Sequence, residues 1–199
     1  MEKIDFKNSI NEMMDNFDFK VRRFPVFSFG DRSKCKSMLM AAICKVDETI
    51  VDFKWLPEYN QIVDWMTDTK GKGLLLAGNV GRGKTNIIHH ALPLLFYHFK
   101  RKVIKCTHAN DLYKHLDEYQ NKSMISIDEM GTETIVNLYG SKYEPVNVLF
   151  DMAESKSKTL LISTNMNSDE IQERYGIRTL DRIARLCCIV KFEGESLRK

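Results

Sequence analysis

The stretch Gly78-Asn79-Val80-Gly81-Arg82-Gly83-Lys84-Thr85-Asn86 holds the residues best suited to chemistry. It contains Gly-x-x-x-x-Gly-Lys-Thr. Glycines at 78, 81 and 83 let a backbone curl until its N–H groups face one point, where phosphate oxygens would sit. An apolar run, Leu74-Leu-Leu-Ala77, precedes the loop, and a helical pattern follows it. A helix opening near Lys84 aims the positive end of its dipole at the same point. Lys84 can reach the β- and γ-phosphates, and the Thr85 hydroxyl can ligate Mg²⁺. Gly78, Asn79, Val80, Gly81, Arg82, Gly83, Lys84, Thr85 and Asn86 are therefore expected to hold ATP.

Met124-Ile-Ser-Ile-Asp128-Glu129 is apolar until its end. A buried strand of this kind can deliver Asp128 to the Mg²⁺ held by Thr85. Glu129 can then orient or deprotonate a water beside the γ-phosphate, which favours hydrolysis over transfer to a small acceptor. The plainer reading is a strand ending in a solvated acidic turn. Leu160-Leu-Ile-Ser-Thr-Asn165 ends in an amide able to bond the attacking water or the γ-phosphate, or to serve only as a turn residue. Arg178, Arg182 and Arg185 recur on one helical face. A guanidinium from that face could stabilise transition-state charge in a neighbouring subunit. The alternative is a solvated face with local pairs, since Asp181 is close by.

The elements that must position these residues alternate. Strand signals fall at 74–77, 103–107, 124–127, 160–163 and 187–192. Helical signals fall at 57–67, 86–99, 110–120, 145–155, 168–175 and 179–186, with Asn110 as an N-cap. Pro93 should kink the second of these helices or end its first part. Alternation of this kind specifies an α/β fold whose parallel sheet carries helices on both faces, with ligands at the carboxyl ends of its strands. Upstream, residues 1–20 read as an amphipathic helix, 21–30 as an extended stretch broken at Phe24-Pro25, and 37–44 as apolar and helical. No function is legible in residues 1–55.

Composition agrees with a globular protein of one α/β domain and a small extension: 199 residues, 43% hydrophobic and 29% charged. A net charge of +3 allows an anionic partner without arguing for nucleic acid. Five cysteines show no Cys-x-x-Cys pair, and the histidines do not pair with them at metal-ligand spacing, so the expectation is reduced thiols in a cytoplasmic protein. His89 and His90 are assigned to packing or surface. The absence of a leader pattern or long apolar span predicts no membrane association.

Taken together, these stretches resemble the AAA+ ATPases of the DnaC-type helicase loaders and the IstB-type transposition helpers. The resemblance covers residues 56–199 as an AAA+ P-loop ATPase domain and leaves residues 1–55 as an N-terminal extension of unknown role. Gly73 to Thr85, Ile125 to Glu133, Leu160 to Ile171 and Tyr175 to Arg198 carry it, the last most specifically. It implies a five-stranded parallel sheet of order 5-1-4-3-2 without a separate helical lid. It also implies Asn165 as sensor 1, Arg182 as a trans-acting arginine finger with Arg178 in the same box, and Arg198 near the phosphates. Self-association on ATP binding follows, with a replicative helicase or a transposase as partner and single-stranded DNA as a further ligand. Only residues 109–123 fill a gap that usually carries extra helical sequence, which weakens the DNA expectation. Competing readings are an ATP-gated adaptor with little turnover and a small-molecule P-loop kinase; the kinase would need an arginine-bearing lid and an acceptor pocket.

Overall fold

The computed structural model describes residues 23–138 and 141–197. The helix expected over residues 1–20 and the position of Arg198 lie outside them. The main sheet has five parallel strands, β1 (Gly73–Gly78), β2 (Lys105–His108), β3 (Met124–Met130), β6 (Thr159–Thr164) and β7 (Cys187–Phe192). Their spatial order is β2-β3-β6-β1-β7, which is 5-1-4-3-2 when these five are counted in chain order. The central strand β1 pairs on one side with β6, Leu75 opposite Ile162, and on the other with β7, Leu75 opposite Ile189.

Period-two alternation on β1 divides the core. Leu74 and Leu76 face one layer, made of α1 (Arg32–Val46), α2 (Tyr59–Thr67) and the helical residues that follow the glycine-rich loop. Leu75 faces the other, built from α4 (Leu112–Tyr119), α5 (Pro145–Ser155), α6 (Ser168–Tyr175) and α7 (Ile177–Leu186). Helices on both faces are what all-apolar strands such as Leu74–Leu76 require. Cys35, Leu39 and Ile43 of α1 are buried in the same core as β1, so residues upstream of 56 form part of the sheet's first layer. The extended stretch before α1 is tied down as well: Phe29 N–H donates to the Met66 carbonyl at 2.9 Å, and Phe27 N–H to the Thr69 hydroxyl at 2.8 Å.

Pro93 falls where the first part of its helix ends and a second begins. A π-helical stretch (Asn86–Ala91) runs directly into α3 (Leu92–Lys100), and Pro93 occupies the first turn of that α-helical part. A proline has no N–H to return to the preceding turn, so carbonyls there lose their donor. Leu92 N–H reaches back to Ile87 O, the Ser126 hydroxyl donates to Ile88 O at 2.9 Å, and the Cys106 thiol meets His89 O at 3.6 Å. The helix stays continuous because the adjoining strands supply those donors. Arg101 closes it in the left-handed conformation, within the basic turn.

Three further departures have local causes. Asn110 lies in a 3₁₀ turn (Ala109–Asp111) rather than capping α4. An antiparallel hairpin, β4 (Val136–Leu138) with β5 (Ser141–Tyr143), is added outside the main sheet; strands of three residues are too short to show a period. Residues 193–197, after β7, contain no helix, so no helical lid is present among the described residues. All five cysteines are unpaired, and no described helix is long and apolar enough to cross a membrane.

Candidate nucleotide site

The glycine-rich loop leaves the carboxyl end of β1 at Gly78 and enters helix at Lys84. Gly78 has φ +130°, and a Cβ there would lie 2.1 Å from the Phe192 carbonyl oxygen. Gly81 has φ +78°, and its Cβ would lie 2.1 Å from the Ser196 hydroxyl oxygen. Both glycines thus serve a close approach as well as a turn. What approaches is the segment after β7. Asn79 N–H donates to Phe192 O (3.1 Å) and its side-chain amide to Gly194 O (2.9 Å). Leu197 N–H donates to Gly81 O (2.9 Å). Arg82 donates to Glu195 O (3.1 Å) and pairs with buried Glu58 at 2.5 Å. Residues 192–197 therefore clasp the loop, and Glu58, one residue ahead of α2, anchors it from the N-terminal side.

Lys84 is buried at the loop's centre. Its Nζ donates to Gly78 O and Asn79 O, each at 2.7 Å, and to Asn165 Oδ1 at 2.9 Å. Burial pushes its pKa down, against the opposing pull of Asp128 and Glu129. The Thr85 hydroxyl donates to Asp128 Oδ1 at 3.0 Å, and the Ser163 hydroxyl donates to the same oxygen. Asp128 itself is only 1% exposed. Glu129 is exposed and sits at φ +56°, where the β3–β6 register shifts between Ile127 and Met130. Its N–H donates to the Ser163 hydroxyl oxygen at 2.9 Å. A residue with a side chain reaches this backbone region only where the surroundings hold it there, at a cost of about 1–3 kcal/mol. Asp128 is buried and Glu129 exposed at the same strand end, as strand alternation sets them.

Lys84, Thr85, Asp128, Glu129 and Asn165 are thus gathered at the carboxyl edge of β1, β3 and β6. Other expected residues are not. The Asn86 side chain turns away to Asp47 (3.2 Å). Val80 projects into solvent. Arg182 is buried on α7 against α5, bonded to Asp151 and, at 3.0 Å, to Glu154. Arg185 pairs with Glu154 (2.7 Å) and Asp181 (3.1 Å). The arginine face therefore meets Asp151 and Glu154 of its own chain, and the Arg182 side chain is 6% exposed there. Arg178 is exposed, with 80% of its side chain accessible and Asp151 at 4.0 Å.

Sequence reasoning passed over several residues that matter here. Ser163 holds the Asp128 carboxylate and the Glu129 backbone N–H, yet inside an apolar strand it looks like filler. Glu133 accepts from Gly131 N–H (2.9 Å) and from the buried Tyr175 phenol, whose pKa is pushed above its ordinary range chiefly by burial and then by Glu133. Arg174 donates to the carbonyls of Gly131 and Glu133, which ties the turn after Glu129 to α6. Gly131, Asn165, Glu170, Glu173 and Arg174 line an open cleft of about 570 Å³ beside this turn. His89 and His108 flank Asp128 on the side away from Thr85: His108 Nδ1 lies 3.6 Å from Asp128 Oδ2, and the two imidazole rings are 5.5 Å apart. Burial pushes the His89 pKa down, while Asp128 opposes it.

Several solved structures share this fold. The crystal structure of the DnaC helicase loader superposes with a TM-score of 0.58 at 17% identity, over 76% of this chain and 98% of that one. The crystal structure of DnaI gives 0.54 at 15%, over 83% of this chain and 96% of that one. The chain therefore has the DnaC-type fold that its motifs implied. No protein-family model and no curated protein sequence matches it.

Proposed function

We propose that this chain is an AAA+ ATPase that binds Mg²⁺-ATP at residues 78–85 and hydrolyses it, in the service of DNA replication or a mobile element. The observation that supports it most is the convergence of Lys84, Thr85, Asp128 and Asn165 on one strand edge, through bonds of 2.9 and 3.0 Å. The residues fit the nucleotide: the loop backbone is shaped at Gly78 and Gly81, Lys84 is a buried cation beside it, and Thr85 with Asp128 offers oxygen donors of the kind Mg²⁺ selects. Bound Mg²⁺ supplies Lewis-acid stabilisation of phosphate charge. Lys84 exchanges its bonds to Gly78 O and Asn79 O for phosphate oxygens. Ser163 keeps Asp128 oriented. Glu129, exposed at the strand end, accepts a proton from water, and Asn165 orients that water or the γ-phosphate.

The trans-acting arginine is best sought on α7. Arg182 was expected from the motif, but its burial against Asp151 and Glu154 suits it to fixing α7 on α5. Arg178, exposed on the same face, then becomes the residue that reaches a neighbouring site. The acid-bearing cleft beside Asn165 offers such a guanidinium a path. The same sequestration of Arg182 favours a second reading, an ATP-gated adaptor with little turnover. Resemblance to helicase loaders makes a replicative helicase or a transposase the partner to test, with single-stranded DNA as a further ligand. The decisive comparison is nucleotide binding against turnover. Lys84→Ala should lose ATP binding, and Glu129→Gln should bind ATP while hydrolysing it at least about 100-fold more slowly. Full hydrolysis by Glu129→Gln would remove the assigned base.

A further inference from the structure

We propose that His89, His108 and Asp128 form a binding site for a divalent metal of the zinc class, distinct from the Mg²⁺ position and sharing Asp128 with it. Their ligand atoms all lie within 4.8 Å of one another. They come from three separate elements: the π-helical stretch, the last residue of β2, and β3. Parallel pairing sets His108 directly opposite Asp128, so the sheet itself fixes that half of the cluster. His108 Nδ1 to Asp128 Oδ2 is 3.6 Å. Ligands bound tetrahedrally at about 2.0–2.1 Å stand roughly 3.4 Å apart, so small rotations suffice to admit an ion.

The two oxygens of Asp128 look in different directions. Oδ1 accepts from Thr85 and Ser163, on the side assigned to Mg²⁺. Oδ2 faces His108. His89 Nε2 is buried and has no hydrogen-bond partner among the described residues. A buried imidazole nitrogen left without a partner is unfavourable, and a metal would satisfy it. Two imidazoles with one carboxylate select zinc, cobalt, nickel or copper over Mg²⁺, which prefers oxygen throughout. The His108 side chain is 58% exposed, so an ion held here keeps a coordination position open to solvent, unlike a closed structural zinc. Occupancy would draw on the Asp128 charge that the Mg²⁺ position also uses, so micromolar zinc should oppose Mg²⁺-dependent turnover.

The test titrates Co²⁺ into the nucleotide-free full-length chain and follows visible absorption. The proposal expects one equivalent bound with the strong d–d band of four- or five-coordinate cobalt, displaced by Zn²⁺. His108→Ala should abolish the band while circular dichroism stays unchanged, and His89→Gln should weaken binding at least about tenfold. Lys84→Ala should lose ATP binding but retain the band, which separates this site from the nucleotide reading. Only the pale spectrum of six-coordinate cobalt, or an undiminished band in His108→Ala, would overturn it.

Discussion

Ser163 touches the carboxylate and the backbone on which the proposed chemistry turns. Its hydroxyl donates to Asp128 Oδ1 and accepts from Glu129 N–H, so one oxygen fixes both a buried acid and the flipped peptide beyond it. Ser163→Ala would leave Asp128 with one donor fewer and the Glu129 N–H without its acceptor. The expected outcome is a loss of about 1–3 kcal/mol in urea unfolding. ATP turnover should fall at least about tenfold while ATP affinity changes less than threefold, because the loop backbone and Lys84 are untouched. Equal loss of affinity and turnover would assign Ser163 to folding alone. Asp128 and Glu129 were legible as a pair of acids after an apolar run. The backbone at that strand end was not: the positive φ of Glu129 and the register shift beside β6 depend on the neighbouring strand.

Among the elements, the helix after the loop and the α5–α7 pair show what packing adds to pattern. Pro93 reads in sequence as an interruption. In the fold it is absorbed, because Ser126 and Cys106 stand where the freed carbonyls need donors. Ser126→Ala should therefore destabilise by about 1–3 kcal/mol in thermal or denaturant unfolding, although Ser126 lies on a strand and not on the helix it supports. The arginine face of α7 was legible as a stripe, and its partners were not, since Asp151 and Glu154 lie on another helix. Arg182→Ala removes a buried guanidinium that ties α7 to Asp151 and Glu154 of α5 and should cost about 1–3 kcal/mol. Arg178→Ala should change stability by less than about 0.5 kcal/mol, as expected of an exposed side chain near one carboxylate. Comparable destabilisation by both would reverse the roles assigned here.

At the scale of the whole molecule, the reading predicts a site completed by a second copy. Specific ATPase activity should rise with protein concentration. Arg178→Ala and Lys84→Ala should each fall at least about 100-fold alone. Mixed, they should recover part of the activity, because a Lys84→Ala chain still offers Arg178 to a neighbour that binds ATP. No recovery in the mixture, with assembly intact, would place the arginine elsewhere. Sequence by itself determined the α/β class, the loop, and the acids and amide at strand ends. Those features are local: apolar runs, glycine spacing and polar residues at a run's end are visible within ten residues. Tertiary structure decided the rest. It clasped residues 192–197 onto the loop, set Glu58 against Arg82, buried Arg182 and brought His89 and His108 to Asp128. Those contacts join positions on different elements, and only the assembled sheet and the helices packed on it bring them within bonding distance.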